Sequence, residues 1–473
     1  MINITKTALK WQLTFFIVVA LFILSMNTSC KKTTLLSKGN LAFSRDTVVF
    51  DTVFTTIGST TKQLKIYNKE NKPVLISDVE LMGGNSSPFR INLDGLQGIK
   101  FSEIELPAKD SLFMFVEVTL NPNGGTLPMV IEDSIRFRTN GKDQYIQLAA
   151  WGQDIYYHYS DMSGATNNLD LNQGVWPNDK PHLIYGAAFV DEGKQLTIQA
   201  GTKIYLHKKS FLFVYKGTLN IQGQLDNEVV IQGDRLESDY KDVAGQFYGV
   251  YFKEAKPSTI NYAIIKNGTT GIHIEGDGNN GSTPTVTVTN TIIQNNASYG
   301  ILNFAGGKIK ATNCVVSKNG LHGFVNIAGS GFDFEHCTFA GYASGQTQLP
   351  VIGISDYYKD NSTVLVTDIT GSAKNCIFYG NQDDELVFNL DNVGTNNFTF
   401  SNCIIKMKTP STEPFYSGIK WNEAPQFKNV AEYDFDIPYS SPAVNSGLNL
   451  SIPQDIKGRT RDAQPDMGAY EFQ

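Results

Sequence analysis

Between about Ser258 and Lys406, short apolar runs recur, each led by one fixed position and closed by asparagine or glycine. The runs are Tyr262-Ala-Ile-Ile, Asn290-Thr-Ile-Ile, Asn313-Cys-Val-Val, His336-Cys-Thr-Phe, Asn375-Cys-Ile-Phe and Asn402-Cys-Ile-Ile. Their leading residues lie 28, 23, 23, 39 and 27 positions apart. A second spacing follows the first three runs: Asn267-x-x-x-Gly271, Asn296-x-x-x-Gly300 and Asn319-x-x-x-Gly323. β-Branched residues dominate the runs, and Asn or Gly stands where the chain must bend through positive φ. None is long enough, or spaced at three and four, to be an amphipathic helix. A strand–bend–strand unit of about 23 residues cannot bury its own apolar face, so units must stack, with neighbouring strands about 4.8 Å apart.

This pattern predicts an all-β chain and resembles the right-handed parallel β-helix proteins of the pectin-lyase-like superfamily, from roughly Gly164 to the C-terminus. Gln195–Tyr205 and Gly217–Leu225 resemble the opening rungs of such proteins. At the far end, Asp455-x-x-Gly458-x-x-Arg461 and Pro465-Asp466-Met467-Gly468-Ala469-Tyr470-Glu471 resemble the terminal segment of envelope β-helix proteins. The resemblance implies a structural cap in which Asp455, Arg461, Asp466 and Glu471 pair with one another over the last apolar rung. A sugar or metal site built from the three acids is the alternative.

At 473 residues the chain is too long for one ordinary core. Residues 1–29 read as a targeting segment: Lys6 and Lys10 precede an apolar run from Trp11 to Met26, and Asn27-Thr28-Ser29-Cys30 follows. Small residues before a lone cysteine resemble a Bacteroidota-type lipoprotein signal, which implies acylation of Cys30 and an outer-membrane address on the periplasmic face or the cell surface. An uncleaved anchor or an ordinary signal peptide are the alternatives. Residues 30–40 would be a tether. Residues 41–154 alternate like short strands (Thr47–Phe54, Thr61–Tyr67, Val74–Glu80, Ser111–Leu120, Asp133–Thr139, Gln144–Ala149) and predict an Ig-like β-sandwich, serving as a spacer or a protein-docking module. A linker spans 155–182, the β-helix 183–420 and the capping segment 421–473.

Net charge of −7 with 18% charged residues argues against nucleic acid, whose phosphates need a concentrated basic face. Besides Cys30 there are Cys314, Cys337, Cys376 and Cys403, all in the repeat slot that Ala263 and Thr291 hold earlier. A shared slot points to a ladder of small buried thiols; disulfides or a metal remain open. The superfamily's lyases use an Arg or Lys base and its hydrolases clustered aspartates. In the stacked region the only arginine is Arg235, and Lys266 and Lys318 sit beside turns. The densest acids are Asp383, Asp384 and Glu385, with Glu385 where other rungs have glycine. A carboxylate pair there could act as acid and base. Thr270, Tyr299, His322 and Asp384 precede the corresponding turn positions and are expected to form one line along the cylinder. The longest insertion, Tyr342–Thr370, carries Asp356-Tyr357-Tyr358-Lys359-Asp360, residues suited to stacking on and bonding a sugar. Folded back over that line, it would make a groove of aromatic rings and acids. The loop with Glu275, Asp277 and Asn279 offers oxygens for a weak calcium; no other cofactor is expected. The expectation is therefore a monomeric, membrane-anchored protein whose β-helix binds a polysaccharide. A polysaccharide lyase or glycosidase, and a structural or adhesive protein without a sugar ligand, stand as alternatives.

Overall fold

The computed structural model describes residues 36–125, 129–159, 174–278, 281, 283–343, 349–391 and 393–473. Cys30 and Asn279 lie outside them. The chain divides into two compact units at about Gly152.

In the first unit two five-stranded sheets share one core. One holds Ala42–Phe43, Lys62–Tyr67, Ser111–Val118, Phe89–Leu93 and Leu96–Gly98; the other holds Thr47–Phe54, Lys142–Gln153, Met129–Thr139, Val74–Leu81 and Lys100–Leu106. Burial alternates as a half-solvated strand requires. Along Ser111–Val118, Met114, Val116 and Val118 are buried while Phe113 and Phe115 face outward.

The second unit is a right-handed parallel β-helix. Among the described residues its strands form parallel sheets of eleven, ten and eight. One full rung runs Ala263–Lys266 in the eleven-stranded sheet, Thr270–Glu275 in the eight-stranded sheet and Val286–Thr289 in the ten-stranded sheet. A single left-handed residue then turns the chain into the next rung. Tyr262 (φ 44°), Asn290 (50°), Asn313 (53°), His336 (50°), Asn375 (56°) and Asn402 (49°) occupy this corner, and they are the residues that anchor the sequence repeat. A side chain in this conformation costs about 1–2 kcal/mol, which asparagine offsets by local hydrogen bonds. Here those bonds climb the corner: Asn290 Nδ2 donates to Asn261 Oδ1 at 3.0 Å, and Asn313 Nδ2 to Asn290 Oδ1 at 3.1 Å.

Each residue after the corner points into the core. Ala263, Thr291, Cys314, Cys337, Cys376 and Cys403 are all buried, and the four thiols are free. The Cys314 Sγ–H donates to the carbonyls of Thr312 (3.3 Å) and Val288 (3.5 Å), and Cys403 repeats this with Ser401 (3.4 Å) and Ala373 (3.5 Å). Burial pushes the Cys314 and Cys376 thiols up, which disfavours thiolates inside the cylinder.

At the next corner the structure corrects the register. Counting back from glycine equates Asn267 with Asn296 and Asn319, but the first of these turns is one residue shorter. Asn267 therefore shares a column with Asn295, whose Nδ2 donates to Asn267 Oδ1 at 2.9 Å. Gly268 takes the buried slot, its N–H donating to Asn296 Oδ1 at 3.0 Å, and Asn296 Nδ2 in turn donates to Asn319 Oδ1 at 2.9 Å.

The tail is a lateral strap and not a terminal cap. Asn402 Nδ2 donates to Ser446 O (3.1 Å), Asn375 Nδ2 to Leu448 O (2.7 Å) and Asn313 Nδ2 to Gln454 O (2.8 Å). Advancing from 446 to 454, the tail thus steps backward along the rungs. Its Phe435, Ile456, Ala469 and Tyr470 cover Val315 and Ala340, and its Ile437, Ala443 and Met467 cover Ile377 and Ile404. These outward positions of the eleven-stranded sheet are apolar, and without the strap they would form an exposed patch. At Gly468 (φ +94°) a Cβ would stand 2.7 Å from Ile377 Cδ1 and 2.8 Å from Thr338 Oγ1, so the strap can approach the sheet only without a side chain there. The final rungs are closed instead by Phe388, Phe398, Phe415, Tyr416 and Trp421 packing on the core.

Candidate functional site

Alternation along the eight-stranded sheet sends every second residue outward. Phe211, Phe213 and Tyr215 leave from one strand, and Tyr251 and Lys253 from the next. Parallel register then stacks a central column: Phe189, Phe213, Tyr251, His273, Leu302, Val325, Gly353 and Val387. Ring centroids of Phe213 and Tyr251 are 4.9 Å apart, and the Tyr251 and His273 rings stack at 4.3 Å and 6°. Tyr248 joins them through its hydroxyl, 2.7 Å from His273 Nδ1, and its ring lies 5.9 Å from that of Phe211.

Polar groups flank this aromatic patch. Glu275 accepts the Tyr251 hydroxyl and pairs with Lys253 Nζ at 3.0 Å. Burial works against its charge, but the Tyr251 hydroxyl and Lys253 together hold Glu275 below the usual carboxylate range. Burial pushes His273 down to about 4, so the ring is neutral at physiological pH. The Tyr248 hydroxyl engages Nδ1, leaving Nε2 as the ring's other nitrogen, buried below the surface. That buried nitrogen has no hydrogen-bond partner in the protein.

The line drawn from the sequence is the edge of this same sheet, but shorter than expected. Thr270, Tyr299 and His322 lie on consecutive strands, and the Tyr299 and His322 rings stack at 6.2 Å and 12°. Pro350 comes next, its carbonyl 2.5 Å from His322 Nδ1, before Asp384 is reached. His322 and Asp384 are thus separated by two strand spacings, about 9.6 Å. Burial lowers the His322 pKa.

The acidic cluster does not converge. Asp384 Oδ1 accepts the N–H of Lys408 at 2.8 Å, and Asp383 is exposed beside it. Glu385 points inward, is fully buried, and accepts the N–H groups of Val351 (2.7 Å) and Gln382 (2.9 Å). Burial raises its pKa to about 7. It replaces the glycine of earlier rungs as a polar plug for a corner, and it shares no substrate-facing surface with Asp384.

The long insertion also departs from expectation. Ile352–Ser355 is an ordinary strand of the eight-stranded sheet, and among the described residues Tyr357–Lys359 and Val364–Val366 leave it as an antiparallel hairpin. The hairpin emerges at the far end of the strands: Tyr358 packs edge-on against Phe304 at 5.2 Å, five residues and about 16 Å from Tyr299. Asp356 is fully buried, accepting Asp391 N–H (2.9 Å) and Asn396 Nδ2 (2.7 Å). Asp360 accepts the N–H groups of Ser362 (2.8 Å) and Thr363 (2.7 Å) within the turn. Both acids are structural. Tyr357 reaches Asn389 through its hydroxyl at 3.1 Å.

Of the three calcium candidates, Glu275 and Asp277 have other partners, and Asn279 lies outside the described residues. Glu275 is engaged on the sheet face, and Asp277 accepts the Gly281 N–H. Among the described residues no three His, Cys, Asp or Glu side chains are placed to hold a metal ion. The tail acids are likewise committed: Arg461 Nη1 donates to Glu471 Oε2 at 2.9 Å, Asp455 accepts Arg459 Nε (2.7 Å) and Glu471 N–H (2.8 Å), and Asp466 accepts Asn445 N–H (2.7 Å).

The family model described as "Right handed beta helix region" matches residues 189–339, which contain the aromatic patch. No curated protein matches the chain. Among solved structures, a family 123 glycoside hydrolase from Clostridium perfringens aligns at 10% identity over 24% of this chain and 26% of its own, with a TM-score of 0.17. The E. coli chaperone DraB aligns at 11% identity over 24% of this chain and 55% of its own, also with a TM-score of 0.17. At that score neither likeness bears on activity.

Proposed function

We propose that the chain is a cell-envelope lipoprotein whose β-helix binds a polysaccharide on the outer face of the eight-stranded sheet, without cleaving it. The observation that carries this reading is the joined, half-buried ring surface of Phe213, Tyr248, Tyr251 and His273, with Lys253 and Glu275 beside it. Because Tyr251 and His273 stack on each other, the patch offers a sugar ring edges and apolar surface, and a few fixed polar groups orient the hydroxyls. A stacked parallel sheet holds these groups rigidly, so little entropy is lost on binding.

Binding is favoured over cleavage by the carboxylates. A retaining glycosidase needs two carboxyl groups about 5–5.5 Å apart and an inverting one about 6.5–9.5 Å, both facing the substrate. Glu385 points inward while Asp384 sits at the surface, and Glu275 is neutralised by Lys253. The membrane address rests on the sequence before residue 36, through the lipid expected on Cys30. Among the described residues no helix is long and apolar enough to cross a membrane.

A polysaccharide panel read for both retention and new reducing or unsaturated ends tests this reading. Retention without product is expected. Product would make the chain an enzyme, and neither retention nor product would leave a structural or adhesive role.

A further inference from the structure

We infer that the polysaccharide taken by this face is a neutral chain lying along the solenoid axis, and not a polyuronate. This deepens the proposed function and rests on it. The direction comes from the order of the rings. Phe189, Phe213, Tyr251 and His273 lie on four consecutive strands, so the platform runs along the stack for about 14 Å at about 4.8 Å per strand. Across the strands it is narrow: three outward columns, with Phe211 on one side and Tyr215 on the other.

The chemical class comes from the charges. The central column, from Phe189 to Val387, contains no charged residue. The column on one side reads Tyr215, Lys253, Glu275, Phe304, Ile327, Ser355 and Asn389. Its one cation, Lys253, is already paired with Glu275 at 3.0 Å. On the other side Tyr299 and His322 lead to Asp384, and both histidines of the face have lowered pKa values through burial. The adjoining corner after Val190 holds Asp191 and Glu192, and Lys216 beyond Tyr215 pairs with Glu254 at 3.6 Å. A polyuronate would bring one carboxylate per sugar against a face with no unpaired cation in its columns. Like charges brought together on partial desolvation are repulsive, so such a chain is rejected. Lys208 and Lys209 precede Phe211 at the opposite corner and are exposed, outside the columns.

A neutral chain meets complementary chemistry instead. The half-buried rings supply an uncharged apolar surface, and the Glu275 carboxylate beside them, which already accepts the Tyr251 hydroxyl, can accept a sugar hydroxyl as well.

The test uses the full chain in mild detergent on columns of immobilised galactomannan, xyloglucan and mixed-linkage glucan, and of polygalacturonate and alginate. Each is run at about 0.15 M and about 1 M NaCl, between which the Debye length falls from about 8 to about 3 Å. Retention on at least one neutral polymer is expected, unchanged by salt. It should fall about fivefold or more in Tyr251→Ala and much less in Tyr251→Phe, which keeps the ring. Retention on the acidic polymers alone, lost at high salt or in Lys253→Gln, would overturn the neutral class while leaving polysaccharide binding in place. Retention on none of the five overturns both.

Discussion

The guanidinium of Arg461 donates to the side-chain oxygen of Asn313, 148 residues earlier in the chain, at 3.1 Å. Its other nitrogen pairs with Glu471 at 2.9 Å, and both side chains are almost fully buried. One residue thus ties the strap to a rung corner. Removing one member of such a pair leaves an uncompensated buried charge, which costs about 3–5 kcal/mol. Arg461→Met should lower the unfolding midpoint and open the strap to protease cleavage beyond Trp421. A variant with an unchanged midpoint and a protected tail would show that the pair does not hold it.

The thiol column predicts a chemical signature. Cys314, Cys337, Cys376 and Cys403 should all alkylate in denaturant without reductant, and only very slowly in the native protein. Cys337→Leu should overpack the column and destabilise by about 1–3 kcal/mol, whereas Cys337→Ala should cost less than a leucine-to-alanine truncation. Quantitative recovery of any cross-linked pair would contradict the column.

The rung corner was legible because one position must take positive φ in every turn, and asparagine recurs there. The thiol slot follows from it by one residue. Where rungs differ in length, counting fails. The one-residue-shorter turn at Asn267 displaced its column, and an ordinary strand lay hidden inside the 342–370 insertion. The aromatic face escaped for the same reason: Phe213, Tyr251 and His273 belong to consecutive rungs, but the loop from Asp234 to Phe247 breaks the period before it is established. The strap escaped because its spacing resembles a terminal segment without saying which surface it covers. Asp356 and Glu385 illustrate the remaining limit. An acid in a turn-like sequence can point to solvent or plug a buried corner, and only packing decides between them.

Stability should fall in mild acid. Burial lowers His158 to about 3, His182 to about 4, His273 to about 4 and His336 to about 3, against an ordinary value of 6.5. With folded pKa values depressed, the unfolded state takes up more protons below pH 6.5. The contribution is full above 6.5 and is lost as pH falls toward the folded values, at up to about 1.4 kcal/mol per pH unit for each ring. Glu385, raised to about 7, has the opposite sign and loses stability as pH rises from 4.5 to 7; burial also raises Asp234, Asp466 and Glu471, while His322 adds a fifth lowered ring. Thermal midpoints measured from pH 8 down to pH 4 should therefore drop below pH 6.5. A midpoint that rises between 6.5 and 4.5 would contradict the neutral rings.

Anchoring is tested at Cys30. Cys30→Ser should release the protein from membrane fractions and abolish acyl labelling. A mutant that stays membrane-bound with residues 1–29 intact would exclude the lipid anchor.

The most direct measurement compares two aromatic sites in one retention assay on a glycan that the wild-type chain binds. Tyr251→Ala removes a ring from the central column of the sheet face; Tyr357→Ala with Tyr358→Ala strips the hairpin, which packs on Phe304, two strands further up the stack and two residues, about 7 Å, further along the strand than that column. The sheet-face site predicts at least a fivefold loss in Tyr251→Ala and near wild-type retention in the hairpin variant. Loss in the hairpin variant with Tyr251→Ala unaffected would contradict it and move the site to the hairpin.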